Sequence, residues 1–243
     1  MQTLNYHNKS NLSVTNIMLN KLKPTIAVVD SGIGGISVLN QLIQKYKFGN
    51  FLYFADNLHM PYGNKKSKFI EKRLEQIIQY LNKFYCPDMI IIACNTASSV
   101  VDCSKYDNVK TILFDKSNPI LATKLTSKQL AGFNVIADKN LASLIEHKIN
   151  KPTLLLQNIK EHAKKLKLNK YPILTLGCTH YELIKDMFEK VCPNTKFILN
   201  SAKLIEQINF APEQNYLTIK LLLSKKDERC EKLINSLIKT NQA

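Results

Sequence analysis

Short apolar runs alternate with amphipathic segments along the chain. Thr25–Asp30 is an apolar run that ends in an acid, which is typical of a strand buried on both faces of a parallel sheet. Ile36–Tyr46 and Phe69–Phe84 carry apolar residues three and four positions apart, which predicts amphipathic helices. Both patterns recur further along, so we expect strands that alternate with helices.

Other apolar runs predict seven more strands: Phe51–Phe54, Met89–Ala93, Thr111–Phe114, Ile120–Ala122, Phe133–Ala137, Ile173–Leu176 and Lys196–Leu199. Periodic segments predict four more helices: Asn140–His147, Tyr181–Val191, Tyr216–Leu223 and Glu228–Ile238. Lys164–Lys170 is interpreted as a basic, solvated stretch. This alternation indicates an α/β fold with mostly parallel sheets, in which ligands bind at the carboxyl ends of the strands.

Composition narrows the class of protein. Of the 243 residues, 45% are hydrophobic and 22% are charged, which excludes a disordered or low-complexity chain. No apolar run reaches about 18 residues, so we expect no transmembrane helix and no membrane partner. Residues 1–23 form a polar extension without the apolar stretch of a signal peptide, which favours a cytoplasmic protein with reduced thiols.

The formal net charge of +15 comes almost entirely from lysine, because Arg73 and Arg229 are the only arginines. Base readout and bidentate phosphate binding favour arginine. We therefore interpret the charge as a lysine-rich surface and expect no specific nucleic acid partner. Weak nonspecific association with anionic surfaces is the alternative.

Glycine is scarce and concentrated. Five of the seven glycines lie in three short motifs, at Gly32, Gly34 and Gly35, at Gly63, and at Gly177. A chain that uses glycine this sparingly is expected to need unusual backbone geometry at these points. The three motifs are therefore candidate loops of a ligand site.

Two cysteines lie in matched surroundings. Cys94 follows the run Ile90–Ala93, Cys178 follows Ile173–Gly177, and a threonine stands within two positions after each. Each cysteine would lie between a strand and a helix, where free N–H groups favour a thiolate and bind carboxylates. The sequence has no CxxC pair, so it does not predict a metal site. The remaining cysteines are interpreted as structural: Cys86, Cys103, Cys192 and Cys230.

Two thiols that face each other across a cleft suggest one class of reaction. One thiolate removes a proton from a carbon, and the other thiol delivers a proton to the opposite face, which inverts a stereocentre without a cofactor. Each thiol then needs a group that manages its proton. His180 lies two residues after Cys178, and Asp30, at the end of the first strand, could serve Cys94.

Four motifs resemble those of glutamate racemases, in the family's order: Asp30–Val38, the loop from Asp56 to Gly63, Ala93–Ser98 and Leu176–Tyr181. The resemblance runs from about Lys23 onward. It implies two pseudo-symmetric α/β domains with the active site in the cleft between them. It also implies cofactor-independent interconversion of L-glutamate and D-glutamate, with D-glutamate supplied for peptidoglycan synthesis. A homodimer is a further expectation.

The resemblance also implies the roles of individual residues. Cys94 would act on the D-enantiomer and Cys178 on the L-enantiomer. Asp30 would support Cys94, and His180 would support Cys178. The expected substrate-binding residues, with Thr123 as a further candidate, are Ser31, Pro61, Tyr62, Gly63, Asn95, Thr96, Thr126 and Thr179. Neither a metal ion nor a cofactor is expected.

The chain departs from the family pattern at several points. Glu182 stands where the family has proline, Asn200-Ser201-Ala202 replaces Asp-Ser-Gly, and a family glutamate loosely aligns with Gln157. The stretch between Phe114 and Ile120 is shortened, because the family has an extra helix there. We expect a first domain at 24–116 plus about 204–243, and a shortened second domain at 117–203.

Two alternatives stay open. A racemase of aspartate or another acidic amino acid could carry the same two thiols. A non-catalytic relative that binds an amino acid or a protein partner would fit the shortened second domain and the basic surface. Such a binding protein would have no need of four matched acid/base groups.

Overall fold

The computed structural model describes residues 25–115, 117–211 and 216–239. The polar extension predicted at 1–23 lies outside these residues. Within them, strands and helices alternate as the hydrophobic pattern predicted, and the α/β fold class is confirmed.

The strands of this part of the chain form two sheets, and every pair of neighbouring strands runs parallel. They are β1 (Thr25–Asp30), β2 (Gly49–Ala55), β3 (Met89–Ile92), β4 (Val109–Thr111), β5 (Ile120–Thr123), β6 (Val135–Asp138), β7 (Ile173–Gly177), β8 (Lys196–Leu199) and β9 (Leu217–Leu223). The first sheet has the order β4-β3-β1-β2-β9, and the second has the order β6-β5-β7-β8.

The helices connect these strands and cover the sheets. They are α1 (Ile36–Tyr46), α2 (Ser67–Phe84), α3 (Asn95–Ser98), α4 (Lys124–Gln129), α5 (Leu141–Lys148), α6 (Pro152–Leu166), α7 (Thr179–Leu183), α8 (Lys185–Val191), α9 (Ala202–Gln207) and α10 (Glu228–Lys239). Within the residues that the structure describes, short 3₁₀ turns lie at Tyr62–Asn64, Cys103–Lys105 and Leu168–Lys170.

Strand β1 is buried on both faces because its side chains alternate between two hydrophobic cores. Ile26 and Val28 belong to the core that includes apolar residues of α1 and α10. Ala27 and Val29 belong to the core on the other face, which includes the apolar stripe of α2. Coverage of both faces is the usual environment of a parallel sheet. The second sheet packs against α5 and α6 in a separate core.

The helix predicted at Tyr216–Leu223 is wrong, because this segment is strand β9, paired in parallel with β2. Leu217, Ile219, Leu221 and Leu223 all pack against the core on the α1 face, which is the two-residue period of a strand. The pairing partner β2 lies far away in the sequence, and long-range strand pairing overrides local propensity.

The basic stretch predicted at Lys164–Lys170 is also corrected. It contains the last turn of helix α6 and a 3₁₀ turn, and Leu168 within it is fully buried. Pro152 at the first helical position was the available signal for α6. The helix predicted at Tyr181–Val191 is two helices, α7 and α8, which meet at Ile184.

Other differences are shifts of boundaries. The strand predicted at Thr111–Phe114 is β4, which ends at Thr111, and the strand predicted at Phe133–Ala137 begins at Val135. The described residues of the short connection, 112–115 and 117–119, contain neither helix nor strand. No helix in the described part of the chain is both long enough and apolar enough to cross a bilayer.

Candidate active site

The carboxyl ends of four strands from the two sheets meet at one group of side chains. Asp30 ends β1, Cys94 follows β3 after one residue, Thr123 ends β5, and Cys178 follows β7 directly. The hydroxyl group of Thr179, at the start of α7, donates a hydrogen bond of 3.0 Å to Asp30 Oδ2. This contact joins the ends of β1 and β7, and it is the location expected for a ligand in α/β sheets.

Cys94 is 6% exposed and lies directly before helix α3, with its Sγ 3.7 Å from Ser31 Oγ. Burial raises the pKa of this thiol, and the charge of Asp30 raises it further, while the N–H of Ala97 lowers it. A backbone N–H of helix α3 thus lowers the pKa of Cys94 as predicted, but burial raises this pKa by more. Cys94 is therefore a neutral thiol at neutral pH.

Cys178 is 5% exposed and faces His180, with 4.0 Å between its Sγ and His180 Nδ1. On the other side of the ring, His180 Nε2 lies 2.5 Å from Glu146 Oε2. Burial lowers the pKa of His180, but its hydrogen bonds to Cys178 and Glu146 and their charges raise this pKa well above its ordinary value. The protonated form of the imidazole is therefore favoured where it lies between the thiol of Cys178 and the carboxyl group of Glu146.

Asp30 is buried, and its two carboxylate oxygens have different partners. Its Oδ1 accepts a hydrogen bond from the N–H of Gly32 at 2.9 Å, and its Oδ2 accepts the bond from Thr179. Burial raises the pKa of Asp30, although the charge of His180 and these hydrogen bonds act in the opposite direction. Asp30 thus connects the glycine loop to helix α7.

Three threonine hydroxyl groups form a buried triangle. Thr96 Oγ1 lies 3.1 Å from the Oγ1 atoms of both Thr123 and Thr126, and those two atoms are 2.9 Å apart. Gly63 packs against Thr123, where an added Cβ would come within 3.3 Å of the threonine side chain. The predicted binding residues Thr96, Thr126 and Gly63 are therefore brought together, along with Thr123.

Tyr62 lies in the 3₁₀ turn that follows Pro61, and its hydroxyl group donates a 2.7 Å hydrogen bond to Asp56 Oδ2. Asp56 is fully buried and also accepts hydrogen bonds from Arg73 Nε and Nη2, at 2.9 and 2.7 Å. The hydroxyl group of Tyr62 therefore serves to hold the loop. Any contact of Tyr62 or Pro61 with substrate stays a prediction.

Asn95 is 1% exposed, and neither its Nδ2 nor its Oδ1 has a hydrogen-bond partner among the described residues. Buried amide groups are normally hydrogen-bonded, so an orphaned one needs an explanation. Its position next to Cys94 makes a polar ligand the simplest partner.

Known proteins of one family are similar to this chain, although no family model matches its sequence. A glutamate racemase of Histophilus somni is 31% identical over 211 residues, which cover 76% of this chain and 79% of that protein. A glutamate racemase of Buchnera aphidicola is 30% identical over 203 residues, or 68% and 75% of the two chains. The chain belongs to the glutamate racemase family.

The fold agrees with this family assignment. The crystal structure of Escherichia coli glutamate racemase, in complex with L-glutamate and the activator UDP-MurNAc-Ala, superposes with a TM-score of 0.72 at 23% sequence identity. The match covers 88% of this chain and 95% of that chain. The family resemblance stated from the four motifs is confirmed.

Glu146 is a residue of the site that the sequence analysis missed. Besides its contact with His180, its Oε2 accepts a hydrogen bond from the N–H of Ile33 at 3.1 Å. Gln157, which loosely aligned with a family glutamate, is exposed on α6 and is not the residue that contacts His180. Glu146 lies in the middle of α5, where nothing in the local sequence separates it from a solvent-facing acid.

The residues described contain no group of three or more His, Cys, Asp or Glu side chains arranged to hold a metal ion. The titratable groups of the site instead act on each other directly: Cys178 contacts His180, and the charge of Asp30 acts on Cys94. These groups can carry protons between a bound molecule and the protein.

Proposed function

We propose that this chain interconverts L-glutamate and D-glutamate by a two-thiol mechanism with Cys94 and Cys178 as the catalytic residues. The observation that carries the proposal is the surroundings of the two buried thiols. Cys178 contacts the imidazole of His180, and Cys94 contacts Ser31 within reach of the charge of Asp30, next to an orphaned amide and a cluster of hydroxyl groups. Membership of the glutamate racemase family supports glutamate as the substrate.

The partners of the two thiols suggest how the L-enantiomer would react. Protonated His180 can donate a hydrogen bond to a thiolate at Cys178, and Cys94 holds its proton because it is buried beside Asp30. Cys178 would remove the α-proton of L-glutamate, and Cys94 would donate its own proton to the opposite face. D-Glutamate then leaves a thiol at Cys178 and a thiolate at Cys94, and proton exchange with solvent restores the starting form.

The remaining residues would bind the substrate and stabilise negative charge at its α-carbon. Asn95, Thr96, Thr123 and Thr126 offer neutral donors to carboxylates, and Ser31 offers one next to Cys94. Thr179 would act through its link to Asp30. Preorganised donors in a site that excludes water stabilise a developing charge more strongly than water does.

The experiment is incubation of the protein with L-glutamate in deuterated water. We expect D-glutamate with deuterium at the α-carbon, measured by chiral chromatography and mass spectrometry. Cys94→Ser and Cys178→Ser should each abolish racemisation, and Cys86→Ser, which changes an exposed cysteine, should leave it unchanged. Absence of exchange with both L-glutamate and L-aspartate would contradict the proposal, and exchange with aspartate alone would support the other racemase.

The proposal extends to domains and cellular role. A first domain at 24–116 plus about 204–243 is supported by the pairing of β9 with β2, and a second at 117–203 by the sheet of β5 to β8. The active-site cleft would lie between them.

By analogy with the family, the product would supply peptidoglycan synthesis in the cytoplasm. A homodimer stays a prediction, which light scattering on the purified protein tests.

A further inference from the structure

Glu182 is a buried carboxylate at the contact between helices α1 and α7. Its Oε2 accepts hydrogen bonds from Ser201 Oγ at 2.6 Å and from Ser37 Oγ at 3.3 Å, and its Oε1 accepts one from Ser201 N–H at 2.9 Å. Gln41 on α1 in turn donates a 2.8 Å hydrogen bond to Ser201 Oγ. One acidic side chain thus ties α7 to α1 and to the turn before α9.

This contact lies close to the proposed catalytic pair. Glu182 follows Cys178 by four residues and His180 by two, all within or next to α7. Its partner Ser37 stands in the first turn of α1, directly after the glycine loop. The start of α7 already meets that loop through the hydrogen bond from Thr179 to Asp30. Glu182 supplies a second tie between the same two segments.

The surroundings of Glu182 are neutral. Its neighbour on α1 is Ser37, and Gln41 on the same helix contacts Ser201. Its neighbours in the turn before α9 are Ser201 and Asn200. It takes part in no ion pair within the described ranges, and the nearby His180 is paired with Glu146. Burial raises the pKa of Glu182 to about 7, although its hydrogen bonds lower it. The group therefore changes charge near neutral pH.

We propose that Glu182 is a positioning residue of this racemase site, whose carboxylate fixes helix α7, and with it Cys178 and His180, against helix α1. The proposal rests on the proposed function. The ionised carboxylate accepts hydrogen bonds from Ser37 Oγ, from Ser201 Oγ and N–H, and from the backbone N–H of Asn200, which fill its four acceptor sites. In the protonated acid the proton takes one of these sites, so one of the contacts has to reverse or break. The tie between α7 and α1 is thus strongest above neutral pH.

The test is the pH dependence of kcat in the wild-type protein and in Glu182→Gln, from pH 5.5 to 9. The amide has the shape and hydrogen-bonding groups of the protonated acid but does not titrate. We expect the ratio of wild-type to variant kcat to be near unity at low pH and to rise roughly fivefold by high pH, the size of one hydrogen bond. The midpoint should lie near pH 7.

Two further variants refine the test. Ser37→Ala removes the longer of the two side-chain hydrogen bonds and should reduce kcat less than Glu182→Gln, again only at high pH. Glu189→Gln on α8 is the matched control, because Glu189 is a partly exposed acid paired with Lys185. Its kcat should follow the wild type at every pH.

A second readout does not need turnover. The alkylation rate of Cys178 by iodoacetamide, followed by mass spectrometry, should differ between wild type and Glu182→Gln above pH 7 and converge below it. If wild-type protein fails to racemise glutamate, the proposed function fails, and the alkylation series still decides the role of Glu182. A kcat ratio or an alkylation ratio that does not change with pH would overturn the proposal.

Discussion

At the scale of residues, the two thiols occupy opposite electrostatic surroundings. Cys94 lies beside an acid, Asp30, whose charge opposes ionisation of the thiol. Cys178 lies beside His180, whose pKa is raised well above its ordinary value by hydrogen bonds to Cys178 and Glu146. An acid beside one thiol and an imidazole beside the other can give the two thiols opposite roles in one proton-transfer cycle. The difference between the two halves is therefore chemical, although their backbone motifs match.

Glu146→Gln is expected to weaken catalysis through His180. The amide keeps a hydrogen-bond partner for Nε2 but removes the negative charge, so the pKa of His180 falls. Once the pKa of His180 falls below the assay pH, we expect kcat/KM to fall about tenfold for each further unit lost, because the protonated fraction falls by that factor. The loss should be equal in both directions, because the two enantiomers have equal free energy in water. Progress curves from each enantiomer measure it, with Glu161→Gln, an exposed acid on α6, as control.

The same variant predicts a stability change with a definite sign. The folded pKa of His180 lies above its unfolded value of about 6.5. The stabilisation is therefore fully present below that pH and is lost as the pH rises through the folded pKa. Glu146→Gln should lower the free energy of unfolding more at pH 6 than at pH 9, as measured by urea denaturation. An equal loss at both values would contradict an ionised pair.

At the scale of elements, the loop after β2 is held by the buried ion pair of Asp56 and Arg73. Burial raises the pKa of Asp56, but the hydrogen bonds and charge of Arg73 bring it below its ordinary value. The stability that Asp56 contributes is present above its unfolded pKa and is lost as the pH falls through the folded one. Tyr62 also donates a hydrogen bond to Asp56. The ion pair of Asp56 and Arg73 therefore fixes the turn Tyr62–Asn64, which follows Pro61 and contains Gly63.

Arg73→Lys is expected to loosen this loop. Lysine keeps the positive charge but cannot donate from two nitrogens of a planar fork. We expect the free energy of unfolding to fall by about 1–3 kcal/mol, the cost of one buried charged hydrogen bond. KM for glutamate should rise more than kcat falls, because the loop contributes binding groups. Lys72→Met, an exposed change on the same helix, is the control for both measurements.

The local hydrophobic pattern predicted most helices and strands because the spacing of apolar residues matches the face that is buried. In α2, for example, the apolar stripe faces one core. It failed where a distant partner decides the structure. Strand β9 is made by its pairing with β2, about two thirds of the chain away. The positions of Cys94, Cys178 and His180 could be predicted because each follows a strand end in a recognisable motif. The contacts of Glu146 and Glu182 could not, since they come only from packing across the fold.

At the scale of the whole molecule, the two sheets meet where the glycine loop packs on helix α7. A Cβ added at Gly34 would lie 2.5 Å from Thr179 Oγ1, 2.6 Å from His180 Nδ1 and 2.8 Å from His180 N. The last of these is a backbone atom, so rotation of a side chain cannot relieve the contact. The absence of a side chain at Gly34 therefore sets how closely the glycine loop can approach helix α7.

Gly34→Ala should separate the two halves of the site while leaving each sheet intact. Overpacking of this kind costs about 1–3 kcal/mol of stability. A displacement of reacting groups by about 1 Å lowers the rate about 100-fold, so we expect kcat/KM to fall by at least that factor. Deuterium exchange at the α-carbon should fall with it, because both thiols lose their alignment. Racemisation and exchange assays measure the loss, and circular dichroism checks that the fold persists.

Gly132→Ala should lower stability without lowering activity, unlike Gly34→Ala. Gly132 has a φ of +87° and no atom within 4 Å of an added Cβ, so alanine there is strained but meets no neighbour. We expect a loss of about 1–2 kcal/mol in the free energy of unfolding with kcat/KM unchanged. If Gly34→Ala kept full activity, or if both variants lost activity in proportion to stability, the contact between the sheets would not control catalysis. Activity lost at Gly34 alone would identify that contact as the part of the fold that aligns the two thiols.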